Sequence, residues 1–203
     1  MKDFKDKIVL ITGAGKGSGR VLAEAFAQRG AIVAANDISP INVEEVVDEL
    51  NRQGGRAKAY VEDVAKKLGA QNIIKQVEDD FGRIDILIHH AAVEPYISLL
   101  DMAEWDWHRV LDVNLTGAFL MTQSAGRVMR HQGSGVILFL IMGPTRDEKK
   151  EAAFVASMDG LRGLARQSER ELRPHGIHVF AAEGSSQEMS EKVFVLLDGL
   201  EEE

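Results

Sequence analysis

The sequence predicts an α/β domain: a doubly wound parallel sheet covered by helices on both faces, three layers in all. Three observations predict it. Short apolar runs alternate with longer amphipathic stretches along the chain, the pattern of buried parallel strands each followed by a covering helix. The first apolar run ends in "TGAGKGSG" (Thr12–Gly19), a glycine-rich turn that opens a helix. The second run ends in Asp37, an acidic residue 24 positions after Gly13.

The elements follow in order. "KIVLITG" (Lys7–Gly13) is apolar and stops at a glycine, so it reads as a buried strand. "RVLAEAFAQRG" is a helix with Gly30 as its C-terminal cap. "AIVAAND" is the second strand. In "SPINVEEVVDELNRQGG", Ser39 caps a helix, Pro40 suits its first turn, and Val43, Val46, Val47 and Leu50 share one face. "RAKAYVEDV" is the third strand, and "AQNIIKQVEDDFG" a helix stopped by Gly82. The second half repeats the theme. "RIDILIHHAA" is a strand, residues 104–133 a long helical stretch, "GVILFLIM" a strand, residues 148–176 a second long helix, and "IHVFAAEG" a strand. With no linker between these elements, residues 1–203 form one domain, of which 185–203 are a short C-terminal tail.

Composition narrows the function. The chain has 203 residues, 45% hydrophobic, enough for a sizeable core. Its net charge of −8 disfavours binding to nucleic acid or to an anionic membrane. With no cysteine, disulfides, thiol catalysis and cysteine-ligated zinc are excluded. His108, His131, His175 and His178 have no metal-like spacing, so no metal site is expected. Trp105 and Trp107 read as packing or interface residues rather than a ligand platform. The N-terminal "MKDFKDKIVLITG" reads as neither signal peptide nor membrane span, which points to the cytoplasm.

The glycine loop carries the chemistry. A tight strand-to-helix turn takes Gly where φ is positive and where phosphates approach the backbone. The helix start then offers free N–H groups and a positive dipole end. Gly13, Lys16, Gly17, Ser18 and Gly19 lie in that turn. Asp37, at the end of the second strand, can accept from an adenosine ribose 2′-hydroxyl and would repel a 2′-phosphate, which favours NAD over NADP. Lys16 leaves two readings open, a 2′-phosphate contact or a solvated loop lysine. A glycine-rich loop without a ligand is the plainer alternative.

Taken together, these motifs resemble the short-chain dehydrogenase/reductase family, a Rossmann-type fold. "TGAGKGSG" matches TGxxxGxG, "DILIHHAA" stands where the family writes a DxLxNNAG-like run, and "VNLTG" matches closely. "ELRPHGIHV" resembles the segment leading into the sixth strand, so the likeness spans residues 5–184. The resemblance implies that Asp63 and Val64 contact adenine, that His90 and Ala91 lie beside the cofactor, and that Asn114 occupies the catalytic Asn position. It also exposes departures. The Ser, Tyr and Lys of the family's reaction fall on Ile141, Phe154 and Met158. "GLRGLARQSERELRPHGI" anchors that register, and neither Tyr60 nor Tyr96 has a lysine four residues on. Both asparagines of the NNAG-like run are histidines, His89 and His90, and its glycine is Ala92; Glu183–Gly184 stands for a Pro-Gly.

Phe cannot relay a proton, Met cannot lower a neighbour's pKa, and Ile cannot hold a substrate oxygen. Positioned acid/base catalysis is worth about 10²–10⁴-fold, so the resemblance implies an NAD-binding chain with little or no oxidoreductase activity. The alternatives are an active NAD(P)-dependent oxidoreductase on an alcohol or carbonyl, with a rearranged site that uses His90, and a structural remnant that binds no cofactor. The family pairs through its two long helices, here about 104–131 and 151–173, so the resemblance implies a homodimer or a larger oligomer. Its substrate loop looks largely missing and its last strand absent, "SEKVFVLLDGL" resembling the helix before that strand. "IHVFAA" would then be a sheet edge in need of cover.

Overall fold

The computed structural model describes residues 3–143, 150–185 and 187–201. Among the described residues, six strands form one sheet: β1 (Ile8–Thr12), β2 (Ile32–Asp37), β3 (Arg56–Val61), β4 (Ile86–His89), β5 (Gly135–Met142) and β6 (Ile177–Gly184). All pairings are parallel, in the order β3-β2-β1-β4-β5-β6. Seven α-helices among the described residues cover it: α1 (Gly17–Ala27), α2 (Pro40–Arg52), α3 (Lys67–Phe81), α4 (Glu104–Leu111), α5 (Gly117–Gln132), α6 (Ala152–Leu172) and α7 (Met189–Asp198). Alternation along each strand divides the core between two faces. Val9 and Ile11 pack with α1, α2 and α7 through Leu22, Phe26, Val46 and Phe194. Ile8 and Leu10 share the other cluster with Ile73, Met121, Phe154 and Met158 of α3, α5 and α6.

Local chemistry explains most boundaries. All five residues of β1 are buried, as a strand covered on both faces requires. The Ser39 hydroxyl accepts from the Asn42 amide (3.4 Å) with Pro40 in the first turn of α2, and Val43, Val46, Val47 and Leu50 are its buried face. Gly82, at φ 74°, ends α3.

Some boundaries differ from the sequence reading. Helix α1 begins at Gly17, three residues before Arg20, because the turn out of β1 closes within the glycine loop itself. It ends at Ala27 with Gln28 as cap, and Gly30, at φ 83°, turns the chain into β2. β3 stops at Val61 and β4 covers only Ile86–His89, so Asp63, Val64, His90 and Ala91 sit in loops beyond the sheet. The stretch 104–133 is interrupted by a π-helical turn at Asp112–Thr116, between α4 and α5; such turns free backbone groups and cluster at functional sites. The helix expected over 148–176 runs as α6 and then a 3₁₀ turn at Arg173–His175; its first two positions lie outside the described residues.

β3 and β6 are the sheet's edge strands among the described residues. Side chains engage part of the outer edge of β6: the Val179 amide donates to the Glu169 carboxylate, and Lys192 Nζ donates to the Glu183 carbonyl (2.6 Å). Helix α7 packs against β6 and α1. Among the described residues, no helix is long and apolar enough to cross a membrane.

Candidate functional site

Thr12 of β1 stands level with Asn36 of β2 on one side and His89 of β4 on the other. The strand order reverses here, which opens a crevice beyond the carboxyl ends of the strands. A cleft of about 650 Å³ occupies it, within the usual range for small-ligand sites. Gly13 and Lys16 form one wall, and Asn36, Asp37, Ser39 and Asn42 the next. Asp63, Val64 and Lys66 follow, then His90, Ala91, Ala92 and Val93. Trp105, His108, Arg109, Asp112 and Val113 close the outer side. Seven of the residues singled out in the sequence therefore line one cleft: Gly13, Lys16, Asp37, Asp63, Val64, His90 and Ala91. Among the described residues, no group of three His, Asp or Glu is placed to hold a metal ion.

The glycine loop is shaped by close backbone approach. A Cβ on Gly13 would lie 2.9 Å from Ala91 Cα, and one on Gly19 only 2.1 Å from the Gly13 carbonyl oxygen. Gly13 also needs φ 67° and Gly17 φ 56°, conformations that L side chains resist. The residue before α1, Lys16, is extended and supplies no side-chain cap. The first amides of α1 thus have no capping side chain, and free amides of this kind are what an anion site at a helix start uses. Asp37 ties the loop down: its Oδ2 accepts from the Gly15 amide and its Oδ1 from the Ser39 amide, both at 3.0 Å. Asp63 Oδ1 accepts from the Ala65 amide (2.9 Å) and fixes the turn after β3.

The two histidines are wired into this loop. Thr12 Oγ1 accepts from the His90 and Ala91 amides, both at 3.1 Å. Its own proton is left to donate to His89 Nδ1 (3.2 Å), so His89 carries its hydrogen on Nε2. The His89 ring is buried edge-on to Phe139, and Nε2 has no hydrogen-bond partner among the described residues. Burial, and then the neighbouring His90, push the His89 pKa down to about 3, with the Asn114 backbone opposing. His90 Nδ1 faces the Gly13 carbonyl (3.2 Å), which can only accept, so Nδ1 is the donor. Nε2 then accepts from the Ser18 hydroxyl at 2.7 Å. Burial lowers the His90 pKa as well, against the Gly13 carbonyl and the Asp37 carboxylate.

A family model for short chain dehydrogenase matches residues 7–186. The chain belongs to the short-chain dehydrogenase family. An uncharacterized oxidoreductase of Thermotoga maritima is 38% identical over 184 residues, which cover 88% of this chain and 71% of that protein. The crystal structure of a short chain dehydrogenase from Mycobacterium smegmatis superposes with a TM-score of 0.88 at 28% identity, covering 94% of this chain and 85% of that one. The structure of an NAD⁺-bound xylitol dehydrogenase gives 0.85 at 28% identity, over 91% and 72% of the two chains. Short-chain dehydrogenases bind NAD(P), and the close packing of Gly13 and Gly19 against Ala91 and the Gly13 carbonyl keeps the turn free of side chains.

The other side of this short-chain dehydrogenase fold is built differently. Ile141, Phe154 and Met158 are 1–3% exposed and belong to one core cluster. Asn114, in the π-helical turn, is fully buried. Its Oδ1 accepts from the Val93 amide (2.8 Å), and its Nδ2 donates to the Val93 carbonyl (3.1 Å) and to Ser157 Oγ (2.9 Å). Ser157 passes its own proton to the Phe154 carbonyl (2.7 Å). The Asn114 side chain thus pins the loop after β4 to α6 and has no hydrogen left for a ligand.

Sequence reasoning missed several residues. Ser157 lies inside the stretch "FVASM", where the resemblance drew notice only to its two ends. Asn36, 1% exposed, donates to the Tyr60 and Glu62 carbonyls and sets the height of the loop after β3; a buried Asn beside Asp37 was the available signal. Trp105, read as a packing or interface residue, is 63% exposed and lines the cleft. That placement depends on how α4 crosses the strand ends, which no local pattern specifies.

Proposed function

We propose that this short-chain dehydrogenase binds an adenine dinucleotide, NAD in preference to NADP, and has little or no dehydrogenase activity of its own. One observation carries the reading: the positions assigned by resemblance to the reaction's Ser, Tyr and Lys hold apolar side chains buried in a single cluster. A proton relay cannot be built from Ile141, Phe154 and Met158. Asn114 positions a loop, with its amide hydrogens already donated.

The cofactor end supports binding. The first amides of α1 would hold the diphosphate and Asp37 the ribose hydroxyls, with Asp63 and Val64 beside the base. A bound nicotinamide would supply hydride chemistry; this chain's residues hold and orient the adenosine half. Asp37 favours NAD because a 2′-phosphate would meet a carboxylate already set by two backbone amides. The oxidoreductase alternative would use His90 as acid and base. Both its ring nitrogens are engaged, by Gly13 and Ser18, which argues against that role. A homodimer through α5 and α6 fits the groove between them, where Phe119, 45% exposed, lies with Leu164 and Leu172 among polar residues that include Arg127, Arg130 and Glu171.

Calorimetric titration with NAD and NADP tests the binding. Heat with NAD, and weaker binding of NADP, is expected; no heat and no thermal shift with either overturns it. An assay of NADH consumption across alcohols and carbonyls is expected to show only the no-protein background. Turnover abolished by His90→Ala would overturn the inactive reading.

A further inference from the structure

We infer that the ligand this chain recognises is the adenosine diphosphate moiety, ADP-ribose or ADP, and that a nicotinamide attached to it adds no affinity. This rests on the cofactor reading above and specifies which half of the dinucleotide the site holds. A doubly wound sheet offers a dinucleotide two half-sites, one on each side of the switch between β1 and β4. The cleft here is one-sided. Its described walls come from the loops after β1, β2, β3 and β4 and from α4 with its π-helical turn. No described residue of β5, α6 or β6 lines it.

The floor on the second side has little left to offer. Binding gains from apolar surface only what is still in contact with water, and Ile141, Phe154 and Met158 are 1–3% exposed before any ligand arrives. Among the described residues, several polar groups on that side are paired with one another, some of them at the exposed surface. Arg162 Nε donates to the Glu183 carboxylate at 3.0 Å, and Lys192 Nζ donates to the Glu183 carbonyl at 2.6 Å. Lys192 also lies over Gly184, so close that a Cβ there would sit 2.9 Å from its Nζ. Ser157 and Asn114 saturate each other. Of these pairs only Asn114–Ser157 is buried; a nicotinamide carboxamide that broke it would leave a buried partner unsatisfied. The adenosine half faces the opposite case: a shaped cleft, an uncapped helix start and a fixed carboxylate.

The test compares NAD, ADP-ribose, ADP and nicotinamide mononucleotide by calorimetry on the full chain, with saturation-transfer NMR on the NAD complex. NAD and ADP-ribose are expected to bind with Kd values within about threefold of each other. Nicotinamide mononucleotide is expected to give no heat. The adenine protons should receive saturation and the nicotinamide protons none. Asp37→Ala should weaken NAD and ADP-ribose by the same factor. NAD binding more than about tenfold tighter than ADP-ribose, or saturation of the nicotinamide ring, would overturn the inference and leave the cofactor reading standing. No binding by any of the four would overturn the cofactor reading, and this inference with it.

Discussion

Acid should destabilise this protein through His89, and the variant His89→Asn should remove that sensitivity. The ring is 1% exposed, accepts from Thr12 through Nδ1, and holds Nε2 without a partner among the described residues. Burial lowers its pKa from the ordinary 6.5 to about 3. The folded pKa lies below the unfolded one. Between those two values the unfolded chain binds a proton that the folded chain refuses, so stability is full above 6.5 and falls as the pH drops. Between about pH 7 and pH 5, protonation of this one residue in the unfolded chain costs about 2 kcal/mol of stability. For a domain of this size that is a Tm change of about 4–8 °C. Asn keeps an acceptor facing the Thr12 hydroxyl and removes the titration. His90, lowered in the same direction, is present in both proteins and cancels in the comparison. Thermal melts of both proteins across this range are the assay. The wild-type Tm should fall further than the variant's by that amount. Parallel profiles would refute the reasoning, because they would mean that His89 is not held neutral in the folded state.

Three further outcomes follow from packing. Met158→Lys puts an amine where the side chain is 3% exposed, inside an apolar cluster; burial disfavours its charge, so the variant should melt several degrees lower, and the deficit should shrink as pH rises toward about 10.4, the unperturbed lysine value. Gly19→Ala drives a Cβ to 2.1 Å from the Gly13 carbonyl and should cost about 1–3 kcal/mol along with NAD binding. Gly163→Ala in α6 meets open space and should instead stabilise by about 0.5–1 kcal/mol; paired thermal melts with an NAD titration check both.

Much of the fold was legible because strands and helices write their periods locally. The apolar runs named all six strands, and Val43, Val46, Val47 and Leu50 named the buried face of α2. The boundaries that shifted lie mostly at the rims of the cleft. β3 and β4 stop early and the helical stretch 104–133 breaks at Asp112–Thr116, because these backbones form the cleft's walls rather than continue their element. The candidate site was legible as a set of residues and not as a shape. Gly13 and Asp37 announce themselves by type and by position at strand ends, whereas Asp63 and His90 come through the family resemblance. Ser157 and Asn36 do not, since a buried serine or asparagine looks like any other until its partner is known.

Periodicity, glycine placement and the Asp37 position are properties of neighbouring residues, so the chain's order alone carries the sheet, its covering helices and the family. The pairing of polar atoms is a property of residues far apart in the chain. His89 meets Thr12 across 77 positions and Asn114 meets Val93 across 21. Whether a buried imidazole is neutral, whether an asparagine has a free hydrogen, and which side of the crevice stays open depend on those meetings. Packing of distant elements alone brings such atoms within the few ångströms over which hydrogen bonds and desolvation act.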